Sequence, residues 1–281
     1  MNMHRSVALV ARALVLSFSF ACGAASSSPT GPAALTPAAQ AAPAVSASSN
    51  SPSSAPAGAS VDLPGGGRGY LVLPLGKGKH PAIVVIQEWW GLNDWIRDNA
   101  ARFARQGYVA LAVDLYRGRS TSDPGEAHEL MRGLPEDRAL ADLEAGFNLL
   151  AARGDVDAQR IGSIGWCMGG GYSLALATNE PRLRAAVINY GRLVTAGPKI
   201  DAIHAALLGN FAGADRGIAP DDVRAFEAQL KERHKEADIK IYDGKAHAFM
   251  NPANKDGYDA AATNDAWSRI DAFFTRTLKG S

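Results

Sequence analysis

Short apolar runs alternate with longer amphipathic segments through most of the chain. Seven runs, several of them rich in β-branched residues, predict strands: Arg68–Leu73, Pro81–Gln87, Tyr108–Val113, Arg160–Ile164, Leu183–Tyr190, Ala205–Phe211 and Ile239–Tyr242. Five other segments predict helices: Asp94–Gln106, Pro135–Arg153, Tyr172–Thr178, Asp221–Glu236 and Ala260–Leu278. Strands that alternate with helices predict an α/β fold with one mostly parallel, doubly wound sheet flanked by helices.

The N-terminal residues have the features of an export signal. Arg5 and Arg12 precede the apolar stretch Ala13–Ala21, which is too short to span a bilayer. The stretch ends at Cys22, and the pattern resembles a bacterial lipoprotein signal, in which this cysteine is lipid-modified and becomes the mature N-terminus. Ser19 departs from the leucine that such signals prefer, so an ordinary cleaved signal with a chance cysteine stays open. We expect an exported bacterial protein, periplasmic or anchored to the membrane as a lipoprotein.

Composition divides the chain and excludes several classes of protein. The signal peptide is expected at residues 1–22, a disordered linker rich in Ala, Ser and Pro at 23–60, and one folded domain at 61–281. The net charge of +1, from 29 basic and 28 acidic residues, indicates no nucleic-acid partner. The two cysteines, Cys22 and Cys167, exclude a disulfide framework. We expect a monomer.

Candidate chemistry centres on Gly165-Trp166-Cys167-Met168-Gly169, where a predicted strand meets a predicted helix. Glycines two positions to either side of a nucleophile permit a sharp turn, because the chains pass there too closely for a Cβ. The turn lifts the sulfur clear of the sheet and places it at a helix N-terminus, where unpaired N–H groups favour a thiolate. The alternative is a small buried cysteine in a glycine-rich turn. The glycine frame and the partners below favour a nucleophile.

A nucleophilic thiol needs a base and a carboxylate that orients the base. His247 follows the last predicted strand, whereas the other histidines precede strands, lie in polar helical segments or belong to the signal. Asp215 follows the penultimate strand, and Asp243, four residues before His247, is its rival. The chain order Cys167, Asp215, His247 is the order of nucleophile, acid and histidine in α/β-hydrolases.

Further motifs connect residues 61–280 with a known family. Together with the turn around Cys167, they make the chain resemble the dienelactone hydrolases: Gln87–Asn93, Asp114–Tyr116, Gly213–Asp215 and His247–Phe249. The resemblance implies a single-domain α/β-hydrolase with a Cys-His-Asp triad and no metal or organic cofactor. It also implies that Glu88 contacts the resting thiol and that the amides of Met168 and Trp89 form the oxyanion hole. From the residues alone, Glu88 could equally be structural.

One departure from the family bears on the substrate. Dienelactone hydrolases hold the substrate carboxylate with an arginine four residues after the histidine, and this chain has Asn251 there. Arg117, Arg119 and Arg132 are candidates to replace that arginine. The resemblance therefore supports acyl-hydrolase chemistry more strongly than it supports dienelactone as the substrate.

The remaining pocket candidates are Trp90 and Phe249, beside Trp89, although one of the tryptophans could equally pack in the core. We expect a small-molecule ester or lactone, related to dienelactone (carboxymethylenebutenolide), to be cleaved through an acyl-enzyme. A general carboxylesterase, a thioesterase, a peptidase and a non-catalytic exported binding module stay open as alternatives.

Overall fold

The computed structural model describes residues 56–280. The predicted signal peptide, Cys22 and most of the predicted linker lie outside these residues. The first strand begins at Gly58, so ordered structure takes in the last residues that the sequence assigned to the linker. None of the helices within the described range combines the length and apolar character that a bilayer-spanning helix requires.

Strands and helices alternate along the described chain as the hydrophobic pattern predicts. The strands are β1 (Gly58–Leu63), β2 (Gly67–Val72), β3 (His80–Ile86), β4 (Val109–Val113), β5 (Val156–Trp166), β6 (Ala185–Asn189), β7 (Ala206–Ala212) and β8 (Ala237–Tyr242). The helices are α1 (Asp94–Arg105), α2 (Pro124–Arg132), α3 (Glu136–Ala152), α4 (Met168–Asn179), α5 (Gly197–Asp201), α6 (Pro220–Glu232) and α7 (Ala260–Phe274). A π-helical turn, Thr275–Lys279, continues α7.

All the strands belong to one sheet, in the order β1-β2-β4-β3-β5-β6-β7-β8. The β1–β2 and β2–β4 pairs are antiparallel, and every pair from β4 to β8 is parallel. This mostly parallel sheet confirms the predicted fold class. Because six strands, β4, β3, β5, β6, β7 and β8, run the same way, their carboxyl ends share one edge, where such folds bind ligands.

The core forms two layers because side chains alternate across the sheet. On β3, Val84 and Ile86 pack into the layer that holds the inner faces of α3, α4 and α6. Ile83 and Val85 point the other way, into the layer shared with α1 and α7. All four side chains are fully buried, which is why β3 has a continuous apolar sequence rather than an alternating one.

Three elements were not predicted, and weak apolar patterns explain the omissions. In β1 the sole buried residue is Leu63, because β1 is an edge strand. In α2 the sole buried residue is Ala127. That helix has instead a local start signal, since the Asp123 carboxylate accepts a hydrogen bond from the Glu126 N–H at 2.8 Å and Pro124 occupies the first turn. The third element, α5, has five residues.

The turn from β5 into α4 has the geometry that its glycines predict. Cys167 lies between the two elements with φ 54° and ψ −118°, a backbone conformation that residues other than glycine seldom adopt. A Cβ on Gly165 would overlap the Gly169 carbonyl, and one on Gly169 would overlap the Gln87 carbonyl. A Cβ on Gly170 would lie 2.6 Å from the Asn189 carbonyl oxygen. These close approaches hold α4 against the ends of β3 and β6 and fix the position of Cys167.

We therefore expect Gly165→Ala to lower the free energy of unfolding by about 3 kcal/mol or more, because the methyl group meets backbone that cannot rotate away. Gly154→Ala is the matched control. A Cβ there meets no atom within 4 Å, so its effect should stay within about 0.5 kcal/mol. Urea unfolding of both variants measures the difference. Equal stabilities would show that the turn tolerates a side chain and that the steric account is wrong.

Candidate active site

The side chains singled out from the sequence meet at the carboxyl edge of the parallel strands. Glu88 follows β3, Cys167 follows β5, Asp215 follows β7 and His247 follows β8. They are far apart in sequence, and the parallel register alone brings the four strand ends together. The structure therefore places these residues where an α/β fold presents its chemistry.

His247 and Asp215 form a direct pair. The distance between His247 Nδ1 and Asp215 Oδ2 is 2.6 Å. The other oxygen of Asp215 accepts hydrogen bonds from the N–H groups of Gly217 and Ile218, at 2.8 and 3.2 Å. Burial acts to raise the pKa of Asp215, but the hydrogen bonds and the charge of His247 outweigh burial and lower it. Asp215 is thus an ionised acceptor held in place by its own loop, and the exposed Asp243 is not the partner.

His247 also faces the sulfur of Cys167. Burial acts to lower the pKa of His247, but its hydrogen bonds with Asp215 and Cys167, and the charges of both, raise it to about 10. The imidazole is therefore protonated at neutral pH. Because Nδ1 is committed to Asp215, Nε2 is the ring nitrogen left for the cysteine and for a substrate.

Tyr190 is a site residue that the sequence reasoning missed. It follows β6, is fully buried and has a positive φ of 38°. Its ring packs edge-on against His247, with the ring centroids 5.2 Å apart. Burial raises the pKa of Tyr190 well above its usual value, so the phenol stays neutral beside the imidazole. The sequence held no signal for this contact, since Tyr190 appears only as the last residue of an apolar run.

Glu88 is a buried acid with an unusual partner. Its side chain is 2% exposed, and its Oε2 accepts a hydrogen bond from Asn251 Nδ2 at 2.6 Å. Its Oε1 is buried and has no hydrogen-bond partner among the described residues. Burial raises the pKa of Glu88 to about 7, although the bond from Asn251 and the charge of His247 act to lower it.

Asn251 is held in the orientation that serves Glu88. Its side-chain oxygen Oδ1 accepts a hydrogen bond from the Ala253 N–H at 2.9 Å, which points the side-chain NH₂ group towards the carboxylate of Glu88. Asn251 is itself buried, at 4% exposure. Asn251, which stands where the dienelactone hydrolases have an arginine, is therefore a direct hydrogen-bond partner of Glu88.

A cavity of about 690 Å³ opens onto these groups. Cys167, His247, Glu88 and Asn251 line it, together with two tryptophans, one residue of α2 and residues of the loop after β8: Trp89, Trp90, Met131, Ala248, Ala253, Asn254, Lys255 and Asp256. Trp89 and Trp90 pack edge-to-face, with ring centroids 4.8 Å apart. Trp89 and Trp90 supply bulky apolar surface to the wall, and Met131 from the unpredicted helix α2 extends it.

Phe249 does not line this cavity, contrary to the expectation from sequence. It is fully buried, and its ring packs between Tyr190 and Tyr242, with centroid distances of 5.5 and 4.8 Å. The reason lies in the preceding residue, because Ala248 has a φ of 58° and turns the chain after His247. Phe249 therefore packs in the core and supports the loop that carries His247 from its buried side.

The candidate replacement arginines are also engaged elsewhere. Arg117 pairs with Asp142 at 2.9 Å, and Arg119 pairs with Glu126 at 3.1 Å. Arg132 lies 3.6 Å from Glu129 on α2. None of the three lines the cavity in the part of the chain that the structure describes.

The two amides expected to hold an oxyanion are free to donate. Met168 is the first residue of α4, and Trp89 follows Glu88 directly. Within residues 56–280 neither N–H donates to a backbone or side-chain acceptor. The same described range contains no cluster of three or more His, Cys, Asp or Glu side chains that could hold a metal ion.

Known proteins resemble this chain over nearly the whole described domain. The family model described as the dienelactone hydrolase family matches residues 68–278. A Salmonella typhi protein named as a candidate carboxymethylenebutenolidase is 33% identical over 213 residues, which cover 71% of this chain and 78% of the relative.

Solved structures agree with this assignment. The crystal structure of a candidate dienelactone hydrolase from Klebsiella pneumoniae is 28% identical, with a TM-score of 0.72, and the match covers 78% of this chain and 98% of that one. A dienelactone hydrolase-like promiscuous phosphotriesterase from metagenomic libraries is 25% identical, with a TM-score of 0.73 and coverage of 80% and 99%. The chain therefore belongs to the dienelactone hydrolase family and is a hydrolase.

Proposed function

We propose that this hydrolase cleaves a small ester or lactone through a Cys167–His247–Asp215 triad and a covalent acyl-enzyme. The observation that carries this proposal is the 2.6 Å pair between His247 and Asp215, with the histidine facing a cysteine that is fixed at a strained turn. Nucleophile, base and orienting acid are the three parts that acyl transfer needs.

The chemistry follows from the positions of these groups. The Cys167 thiolate attacks the carbonyl carbon, and the carbonyl oxygen becomes an oxyanion that the amides of Met168 and Trp89 can stabilise. When the tetrahedral intermediate collapses, the carbon–oxygen bond to the alcohol breaks and His247 protonates the departing alkoxide. His247 then takes a proton from water, which attacks the thioester and releases the acid and the thiolate. In a lactone the alcohol stays attached to the acyl group.

Glu88 assists this cycle in the proposed mechanism. A carboxyl group with a pKa of about 7 gives and takes protons readily at neutral pH. It lines the same cavity as Cys167, so it can receive the thiol proton while His247 stays protonated for the leaving group. Burying Glu88 without a cationic partner lowers the stability of the folded protein. Buried ionisable groups of this kind are typical of functional sites.

The alternatives differ in the leaving group and not in the triad. A carboxylesterase, a thioesterase and a peptidase would use the same residues, and the names of the relatives favour a lactone or ester. Membership of a hydrolase family speaks against a non-catalytic binding module.

We also propose export of the protein, with Cys22 as a lipid attachment site, on the sequence of residues 1–22 alone. The mass of the mature N-terminal peptide tests this proposal.

Replacing either reacting residue should abolish turnover. We expect Cys167→Ala and His247→Ala each to lower kcat/KM on para-nitrophenyl butyrate by at least about 10⁴-fold, because both act as one catalytic unit. His204→Ala is the matched control, since His204 is exposed at the opposite edge of the sheet, and it should keep wild-type activity. Residual activity in Cys167→Ala within tenfold of wild type would exclude Cys167 as the nucleophile.

Asp215 should set the alkaline limit of activity. With His247 as the proton donor, kcat/KM is present below the pKa of His247, about 10, and is lost as the pH rises through that value. Asp215→Asn removes a charge that raises this pKa, so the alkaline midpoint should move to lower pH and kcat should fall by up to about 10⁴-fold. Asp243→Asn, on the same loop as His247 but exposed, is the control. An unchanged profile in Asp215→Asn would remove Asp215 from the triad.

The cost of burying Glu88 should appear as a pH-dependent stability. Its pKa rises from 4.5 to about 7 on folding, so the folded state binds this proton more tightly and the free energy of unfolding falls as the pH rises from about 4.5 to about 7. Glu88→Gln does not titrate there. Its stability gain over wild type should therefore be about 2 to 3 kcal/mol larger at pH 8 than at pH 5. Urea unfolding at both pH values measures this, and a pH-independent difference would contradict the raised pKa.

A further inference from the structure

The charges that line the active-site cavity leave the carboxylate of Glu88 without a cation of its own. Glu88 lines the cavity, and the cation His247 is paired with Asp215, which does not line it. The imidazolium of His247 is already shared between the sulfur and Asp215. Glu88 has a neutral amide as its hydrogen-bond partner, so no full positive charge is reserved for it.

The lack of a cation beside Glu88 affects a bound ligand through Oε1, the buried second oxygen of the carboxylate. It has no hydrogen-bond partner among the described residues, and Glu88 belongs to the cavity wall. A second carboxylate placed beside it would add like charge in a region from which water is largely excluded, and such juxtapositions cost several kcal/mol. An apolar group, or one that donates a hydrogen bond to Oε1, carries no such penalty.

Among the described residues, one ammonium group lines the cavity, and it is exposed to solvent. Lys255 is exposed and follows Asn254 on the loop beyond His247. The equally exposed Asp256 is its neighbour and also lines the cavity. An exposed ammonium beside a carboxylate is well screened by solvent and contributes little to binding. It does not offset the buried carboxylate of Glu88.

We propose that the site selects esters and lactones with an uncharged acyl part and discriminates against acyl parts that carry a carboxylate. Asn251 is the specificity-determining residue, because it holds Glu88 in the cavity wall without neutralising its charge. This inference rests on the proposed function and adds the substrate class to it.

A matched pair of esters tests the selection directly. The para-nitrophenyl esters of pentanoic acid and of glutaric acid have acyl chains of equal length that end in a methyl group or a carboxylate. After division by their hydroxide-catalysed rates, we expect wild-type kcat/KM to favour the pentanoate by roughly 30- to 100-fold at pH 8. A ratio below about threefold, or one in favour of the glutarate, overturns the proposal, whatever its cause.

Three variants show whether Glu88 and Asn251 are responsible. In Glu88→Gln both rates should fall, but the ratio should drop by about tenfold, because the buried charge is gone. Asn251→Arg should lower the ratio further, since it supplies a cation; Glu88→Gln carries the test if that variant does not fold. Lys255→Gln is the control and should leave the ratio within about twofold. An unchanged ratio in Glu88→Gln assigns the selection elsewhere and overturns the role of this pair.

The pH dependence provides a second, independent readout. His247, Cys167 and Tyr190 are the ionisable groups that face Glu88. The pKa of His247, about 10, and the raised pKa of Tyr190 keep the charges of both groups constant between pH 6 and pH 8, and Glu88→Gln carries the same Cys167 as the wild type. Glu88 gains its charge as the pH rises through about 7. The wild-type ratio should therefore increase between about pH 6 and pH 8, and the Glu88→Gln ratio should stay flat. A flat wild-type ratio would contradict the inference.

Alkylation of Cys167 separates charge selection from catalysis. Iodoacetamide and iodoacetate differ chiefly in charge, and the modified peptide containing Cys167 reports each rate by mass spectrometry. Relative to free cysteine, we expect a preference for iodoacetamide of at least about tenfold in wild type, reduced in Glu88→Gln. Equal relative rates overturn the charge selection. Absence of Cys167-dependent turnover on both esters contradicts the proposed function instead, and the alkylation ratio still decides whether the cavity rejects anions.

Discussion

The close approach of backbone at the turn between β5 and α4 is the constraint on which the site depends. Gly165 and Gly169 leave no room for a Cβ, so the end of β5, the end of β3 and the start of α4 lie in direct backbone contact. Cys167 accepts a positive φ because these neighbours fix it there. The sulfur therefore reaches the helix N-terminus and the histidine loop with little freedom, and pre-positioning of this kind is one of the ways in which enzymes lower the barrier to acyl transfer.

A second feature of the site is that one buried carboxylate, that of Glu88, has no cation paired with it. Asp215 is ionised, His247 is held protonated and Glu88 is buried with a neutral partner. A buried carboxyl of this kind lowers stability, and Glu88 lies in the wall of the cavity that also holds Cys167. The amide of Asn251 orients Glu88 and leaves its negative charge intact. A cation at the same position would cancel that charge.

The fold class and the residues that meet at the sheet edge could be predicted from the sequence. The β-branched runs and the strand-end positions of Cys167, Asp215 and His247 carried that information, because parallel register decides which strand ends meet. Contacts that depend on side-chain direction could not be predicted. Phe249 points into the core because Ala248 reverses the chain, and the contacts of Tyr190 with His247 and of Asn251 with Glu88 join residues from separate loops.

The acyl-enzyme is the central claim, and trapping it tests that claim most directly. The full chain would be mixed with a slowly hydrolysed ester, quenched in acid within the first turnover, digested and analysed by mass spectrometry. We predict that the peptide containing Cys167 gains the mass of the acyl group and loses it again on the timescale of turnover. Turnover without an adduct on Cys167, or an adduct on another residue that forms and decays at the turnover rate, would contradict it.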